Sequence, residues 1–308
     1  MTDESTGVLK PGEVVADTYR IDELIGSGGM AYVYRATQAR IRRQVALKII
    51  RPRMLVDEEA VRHFVMEART AGRIPAHPNI VTVYEAGVVE SLGVPFLALE
   101  LCPGESLRAR IDDRGAMAWP EVDSLINQLA DGLDAAHASG VIHRDVNPAN
   151  VMVYQDHRGR SRLKLLDFGI ARFMEDARSQ TATSIGTPSY SAPEQFGGRL
   201  RTLAAKMGFT IARGVGPTSD VWGLGMIAFE LLTGRHIDLY WGDVPADYLQ
   251  KAALQPRELA SERAGEYARH LPPGFDDWFS KCTAHDADAR WPTAGDAALA
   301  LSSLLAKT

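Results

Sequence analysis

Apolar and polar residues alternate from the start of the ordered pattern. Residues 19–25, 33–37 and 45–50 each read as a short β-rich run, with a glycine cluster turning the first into the second, which predicts an antiparallel sheet. The period then changes. Val61, Phe64, Val65, Ala68 and Ala71 recur at helical spacing between Asp57, a capping residue, and Gly72, a stop. Glu67 lies beside that stripe, and an inward carboxylate needs a partner because a lone buried charge is costly. Two further strands are expected at 81–87 and 95–101. Beyond Cys102 the helical period dominates: Val122, Leu125, Ile126, Leu129, Leu133 and Ala136 follow Pro120, a helix-starting residue. Residues 219–232 are apolar almost all round, between a Ser219 cap and a Gly234 stop, so this helix is expected at the centre of its unit. Leu200, Leu203, Ala204 and Met207 predict a short amphipathic helix that packs with its basic face in solvent. The resulting division is a loose polar arm at 1–13, a β-rich unit at 14–101 and a helical unit at 102–308.

Composition changes this picture little. A chain of 308 residues, 45% apolar and 24% charged, suits two compact soluble units. Its 34 Lys and Arg against 39 Asp and Glu give a formal charge of −5, which disfavours nucleic acid and anionic membrane as partners. Cys102 and Cys282 have no spacing for zinc or redox chemistry and read as free thiols of a reducing compartment. The apolar stretch at 221–232 is too short and too interrupted by glycine to span a bilayer, and no leader opens the chain. The expectation is a cytoplasmic location without membrane contact in this chain, any anchor lying outside it.

Five motifs carry chemistry. Ile25-Gly26-Ser27-Gly28-Gly29-Met30-Ala31-Tyr32-Val33 is a glycine-rich turn in which missing side chains let backbone N–H groups approach phosphate oxygens. A strand and not a helix follows it, which disfavours the Rossmann and Walker arrangements. Val45-Ala46-Leu47-Lys48 places a lysine in an apolar strand, for which Glu67 is a candidate partner. His143-Arg144-Asp145-Val146-Asn147-Pro148-Ala149-Asn150 is then followed by Asp167-Phe168-Gly169 and by Ala192-Pro193-Glu194. Phosphoryl transfer needs cations, hard oxygen ligands for a divalent ion and a carboxylate to orient the acceptor hydroxyl.

In order and spacing these motifs, from residue 19 to about 305, resemble the eukaryotic-type (Hanks-type) Ser/Thr protein kinase catalytic domain of bacteria. The resemblance implies an α+β, bilobal protein-kinase fold: an N-lobe of antiparallel sheet with one main helix over 14–101, and a mainly helical C-lobe over 102–308. It implies transfer of the γ-phosphoryl group of ATP, with Mg²⁺ or alternatively Mn²⁺, to protein Ser and Thr hydroxyls. Lys48 would bind the α- and β-phosphates and be held by Glu67, Asp145 would be the catalytic base, and Asn150 and Asp167 would hold the metal. Gly26, Ser27, Gly28 and Gly29 would cover the phosphates. Adenine would lie between Ile25, Val33 and Ala46 on one side and Met152 on the other, its edge read by the backbone of Glu100 to Cys102, with Leu99 as gatekeeper. His143 and Phe168 would support the loop and take no chemical step.

Residues 167–194 would be the activation segment, with Thr187 and Glu194 in its closing stretch and Glu194 paired to Arg290. Ser179, Thr181, Thr183 and Ser184 would be autophosphorylation sites, gripped by Arg144 once modified. Protein substrates and a second copy of the chain, for phosphorylation in trans, are the implied partners. The chain departs from the pattern at Asn147, where Ser/Thr kinases carry a lysine, and Ala149 supplies no substitute cation. Asn donates a neutral hydrogen bond without charge, so turnover should fall by about 10²–10³-fold while ATP binding suffers less. The alternative is a pseudokinase, a nucleotide-binding regulatory module with weak or no transfer. A related small-molecule kinase is disfavoured by Arg144, Thr187 and the Ala-Pro-Glu stretch. A second departure is a basic insertion at about 197–218, with Arg199, Arg201, Lys206 and Arg213 and no acid, expected as a solvated basic face or, alternatively, as a docking surface for an acidic partner or phosphorylated segment.

Overall fold

The computed structural model describes residues 9–29, 31–51, 68, 72–89, 92–168, 188–196, 198–212, 214–242 and 248–306, with backbone only at 198–200, 249 and 250. It divides into two units, one built from the chain up to His77 with Val81–Cys102, the other from Pro78–Ile80, Pro103–Phe168 and the C-terminal remainder.

The first unit is an antiparallel sheet of β1 (Val14–Val15), β2 (Tyr19–Ser27), β3 (Ala31–Gln38), β4 (Arg43–Ile50), β5 (Val83–Val89) and β6 (Val94–Glu100), in the order β1-β2-β3-β4-β6-β5. Period-two alternation buries one face: Tyr19, Ile21, Tyr34, Ala36, Val45, Leu47, Phe96 and Ala98 form one core cluster. Two register shifts in β2, at Ile21/Glu23 and Leu24/Gly26, bend that strand as bulges do. Packing begins before Val14, because Leu9 lies against this core and its N–H donates to the Tyr34 hydroxyl at 3.0 Å. Of the helix expected from Asp57 to Gly72, Ala68 is buried and its carbonyl accepts from Gly72 N–H at 3.0 Å; Glu67 and the rest lie outside the described residues.

The second unit contains β7 (Glu105–Ser106), α1 (Leu107–Arg114), α2 (Trp119–Ala138), β8 (Val151–Gln155), β9 (Ser161–Leu165), α3 (Gly198–Lys206), α4 (Pro217–Thr233), α5 (Asp238–Trp241), α6 (Tyr248–Leu254), α7 (Ala260–Ala264), α8 (Phe275–Cys282) and α9 (Ala294–Leu305). β7, β8 and β9 form a small antiparallel sheet that the hydrophobic pattern did not announce. Ser106 caps α1 by accepting from Ala109 N–H at 3.1 Å, and Pro120 sits in the first turn of α2.

α4 is the buried axis, with every side chain from Ser219 to Thr233 shielded from solvent. Its start differs from expectation. Gly216 is the cap and Pro217 opens the helix, so Ser219 is the third helical residue. From there the Ser219 hydroxyl oxygen accepts from Gly216 N–H at 3.1 Å and its proton goes to Glu194 Oε1 at 2.6 Å, so serine serves the cap from inside. Gly234 ends the helix at φ 66°, in the left-handed region, with its N–H on the Glu230 carbonyl at 2.7 Å.

The helix expected in the basic insertion is present as α3, but its apolar stripe is not all covered. Ala204 packs with Ile211, Ala253, Leu254 and Phe209, whereas Leu203 and Met207 remain 46% and 54% exposed. Phe209 stacks on His285 at 4.5 Å, and Arg257 Nη2 faces His285 Nε2 at 3.1 Å. Burial first, then the Arg257 and Arg290 charges, push this imidazole from its ordinary 6.5 down to about 4. The unfolded chain therefore binds the extra proton between those values, and stability present at neutral pH is lost as pH falls from 6.5 toward 4. The urea midpoint should drop between pH 7 and pH 5, and His285→Gln should flatten that drop; an unchanged pH slope in the variant would remove His285 as its source.

Among the described residues no helix is long and apolar enough to cross a membrane.

Candidate active site

In the first unit, strand register assembles the expected nucleotide residues. Gly26 pairs with Val33, Val33 with Lys48, and Ala46 with Leu99. Val33, Ala46 and Lys48 alternate with core-facing Tyr34, Val45 and Leu47, so they occupy the face opposite the core. Gly28 closes the turn with its N–H on the Ala31 carbonyl at 3.0 Å, and Ser27, Gly28 and Gly29 are exposed. Ile25 is exposed and Leu99 buried; Glu100 and Cys102 are half-buried, Cys102 Sγ lying 3.8 Å from the Glu100 carbonyl.

In the second unit the loop at 143–150 is held from three sides. Asp220, in the first turn of α4, accepts His143 N–H on Oδ2 and Arg144 N–H on Oδ1, both at 2.8 Å, and His137 Nε2 lies 2.7 Å from Oδ2. These bonds hold Arg144 at φ 65°, a conformation a non-glycine residue keeps only when its surroundings enforce it. The Arg144 carbonyl in turn accepts from Gln195 Nε2 at 2.7 Å. α4 approaches so closely that a Cβ on Gly223 would sit 2.7 Å from the Val146 carbonyl oxygen. On the third side His143 Nε2 meets the Leu166 carbonyl at 2.6 Å, Leu166 N–H donates to the Asn150 carbonyl at 2.8 Å, and the His143 and Phe168 rings lie 4.8 Å apart. Asp167, next in the chain, stands at φ 50°.

The Asp145 carboxylate is gripped at both oxygens. Asn147 Nδ2 donates to Oδ1 at 3.0 Å and Asn150 Nδ2 to Oδ2 at 2.7 Å, and both amides also reach the Asp145 carbonyl, at 3.1 and 2.9 Å. Asn147 Oδ1 accepts Ala149 N–H at 2.9 Å and so caps the 3₁₀ turn Pro148–Asn150. Asn147 is therefore a buried, uncharged clamp on Asp145. Because Asn150 spends Nδ2 on Asp145, its amide oxygen is the atom left for a hard cation, and it and the Asp167 carboxylate are the oxygen donors that would suit Mg²⁺. No cluster of three or more His, Cys, Asp or Glu able to hold a metal occurs among the described residues. Met152 is half-buried in β8, opposite Lys164.

Glu194 and Arg290 form a bidentate pair at 2.7 and 2.9 Å with both side chains sealed from solvent. Sequence reading missed a second buried network. Glu230 accepts from Arg108 Nη2 at 2.5 Å, from the Tyr190 hydroxyl at 2.8 Å and from Ile237 N–H at 2.5 Å, while Arg108 also donates to the Tyr190 oxygen at 2.7 Å. Burial pushes the Glu230 carboxyl up to about 7, against the pull of Arg108. It missed His137 and the role of Asp220 as well. The signal was present: Asp220 and Glu230 interrupt a helix that is otherwise apolar all round, and buried carboxylates require donors. Ser179, Thr181, Thr183, Ser184 and Thr187 lie outside the described residues.

A sheet bearing a glycine turn and Lys48, followed by a helical unit whose loop clamps Asp145 beside Asn150 and leads to Asp167, defines a protein kinase fold. Residues 19–298 match the family model described as protein kinase domain. The chain is 35% identical over 227 residues, 72% of its length and 32% of the relative's, to the probable serine/threonine-protein kinase PknB of Corynebacterium glutamicum. It is 34% identical over 292 residues, 93% of its length and 40% of the relative's, to the serine/threonine-protein kinase PknD of Mycobacterium tuberculosis. The crystal structure of the M. tuberculosis PknI kinase domain aligns with TM-score 0.70 and 27% identity, covering 96% of this chain and 99% of that one. The chain belongs to the protein kinase family, as a bacterial Hanks-type Ser/Thr kinase domain. It spans 32% to 42% of the length of the relatives first matched.

Proposed function

We propose that this chain transfers the γ-phosphoryl group of ATP to Ser and Thr hydroxyls of proteins, its own activation segment among them. The observation that carries the reading is the two-amide grip on Asp145, which aims a carboxylate from a loop that α4 and Asp220 hold rigid. Asp145 orients the acceptor hydroxyl and takes its proton; Asn150 and Asp167 are the residues to hold Mg²⁺, which when bound neutralises phosphate charge. Lys48 binds the α- and β-phosphates with Glu67 as its partner, and the glycine turn covers them. Ile25, Val33, Ala46 and Met152 enclose adenine, Leu99 is the gatekeeper and the backbone from Glu100 to Cys102 reads the base edge. Glu194 and Arg290 fix the end of the activation segment.

Autophosphorylation is tested by intact mass and peptide mapping after incubation with Mg-ATP. Phosphate should appear within Ser179, Thr181, Thr183 or Ser184 and be absent from Asp145→Asn. No phosphate there in the unsubstituted chain would sink this part of the reading.

The pseudokinase alternative draws on Asn147, which brings no charge to the transferring group. Against it, Lys48, Asp145, Asn150 and Asp167 are all retained, and the amide keeps Asp145 aimed.

A further inference from the structure

We propose that the outer face of α3 is a docking surface for an acidic segment, studded with apolar residues, of the protein substrate, separate from the hydroxyl that is phosphorylated. This rests on the kinase reading above. The insertion is anchored rather than loose: Ala204, Ile211, Ala253 and Leu254 pack together, and Phe209 stacks on His285. Yet Leu203 and Met207, one helical turn apart and so on one side of α3, stay 46% and 54% exposed beside Lys206, also exposed. A folded helix that buries Ala204 while Leu203 and the adjoining Met207 stay in water presents those two side chains outward.

Charge selects the occupant. Residues 197–218 hold Arg199, Arg201, Lys206 and Arg213 and no acid; without those four cations the chain's formal −5 becomes −9. In sequence the segment is thus a cationic stretch of an acidic chain, with Lys206 exposed on it, and that charge balance favours a short anionic peptide over an extended polyanion such as nucleic acid or an anionic bilayer. The Leu203–Met207 ridge asks for apolar side chains, which a phosphate backbone lacks. Position also fits a substrate. α3 packs on α6, and α6 packs on Pro188–Tyr190 and Pro193–Gln195, with the Tyr248 hydroxyl on the Ser191 carbonyl at 2.6 Å. The docking face is one helix away from the end of the activation segment, where a kinase receives its acceptor peptide. Two linked contacts raise the effective concentration of the acceptor at the site.

The test uses two peptides with one Thr acceptor sequence, the longer extended by a helical tail of glutamates with leucines at i, i+4 spacing. The extended peptide should have a KM lower by on the order of ten-fold with kcat unchanged. Leu203→Glu combined with Lys206→Glu and Met207→Glu should erase that advantage, and Lys206→Ala with Met207→Gln should weaken it, both leaving the short peptide's kinetics and the unfolding midpoint as they were. Equal KM for the two peptides, or an advantage that survives the triple change, overturns the proposal. So does tighter binding of a single-stranded oligonucleotide or of phosphatidylglycerol vesicles than of the fluorescent tail, lost in the same variant. Tail binding by anisotropy needs no phosphotransfer: binding without transfer counts against the kinase reading alone, and transfer without a tail effect counts against docking alone.

Discussion

Arg290→Met should lower the thermal midpoint by on the order of 10 °C, through a loss of about 3–5 kcal/mol. The guanidinium and the Glu194 carboxylate are fully sealed, and Arg290 also donates to the Ala284 and Thr218 carbonyls at 2.9 and 3.0 Å. Removing it leaves Glu194 with the Ser219 hydroxyl and no opposite charge. That orphaned charge, more than the attraction lost, is the source of the effect, so Glu194→Leu added to Arg290→Met should recover a large part of the midpoint. A double variant no more stable than Arg290→Met would show that the arginine acts through its carbonyl bonds instead. The single variant should lose phosphotransfer more steeply than nucleotide binding if, as proposed, Glu194 and Arg290 fix the end of the activation segment.

Asn147→Lys should raise turnover by up to about 10²–10³-fold, with ATP affinity nearly unchanged. Lysine restores a charge near the transferring phosphate and can still donate to Asp145 Oδ1, as Asn147 does at 3.0 Å. It cannot accept Ala149 N–H, so the Pro148–Asn150 turn loses its cap, a cost of about 1 kcal/mol that should appear as a lower unfolding midpoint. Asn147→Ala removes clamp and cap together and should be slower than the natural chain. Equal or lower rates in Asn147→Lys would mean that the clamp outweighs the absent charge.

Much of this architecture is legible in the residues alone. Period-two runs locate β2 to β6 within a few residues, because one buried face leaves a strict alternation such as Val45, Leu47 and Ile49. Loop motifs locate Asp145, Asn150 and Asp167, because they combine residue types that phosphoryl transfer requires. Capping is less legible: Ser219 reads as a cap, yet a serine at the third helical position satisfies the same donors from inside. The small sheet of β7 to β9 escapes because its strands mix Gln155, Ser161 and Arg162 with the apolar residues. Spacing also reports which residues share a face without reporting what covers it. Leu203 and Met207 therefore look like core in sequence, whereas in the fold they stand in solvent. Asn147 is the sharpest case. Its identity announces a missing charge, and only its bonds to Asp145 and Ala149 disclose the positioning work it performs.

The central claim is Asp145-dependent phosphotransfer, and the direct measurement is radiolabel transfer from γ-labelled ATP with Mg²⁺ to a generic protein, alongside nucleotide binding on the same samples. Asp145→Asn turns one carboxylate oxygen into an amide that faces the Asn147 or Asn150 donor, so it removes the base and loosens the grip together. Transfer should fall by about 10²–10⁴-fold while nucleotide binding persists. Nucleotide binding with no transfer in the natural chain, or transfer equal in the two chains, would contradict the account.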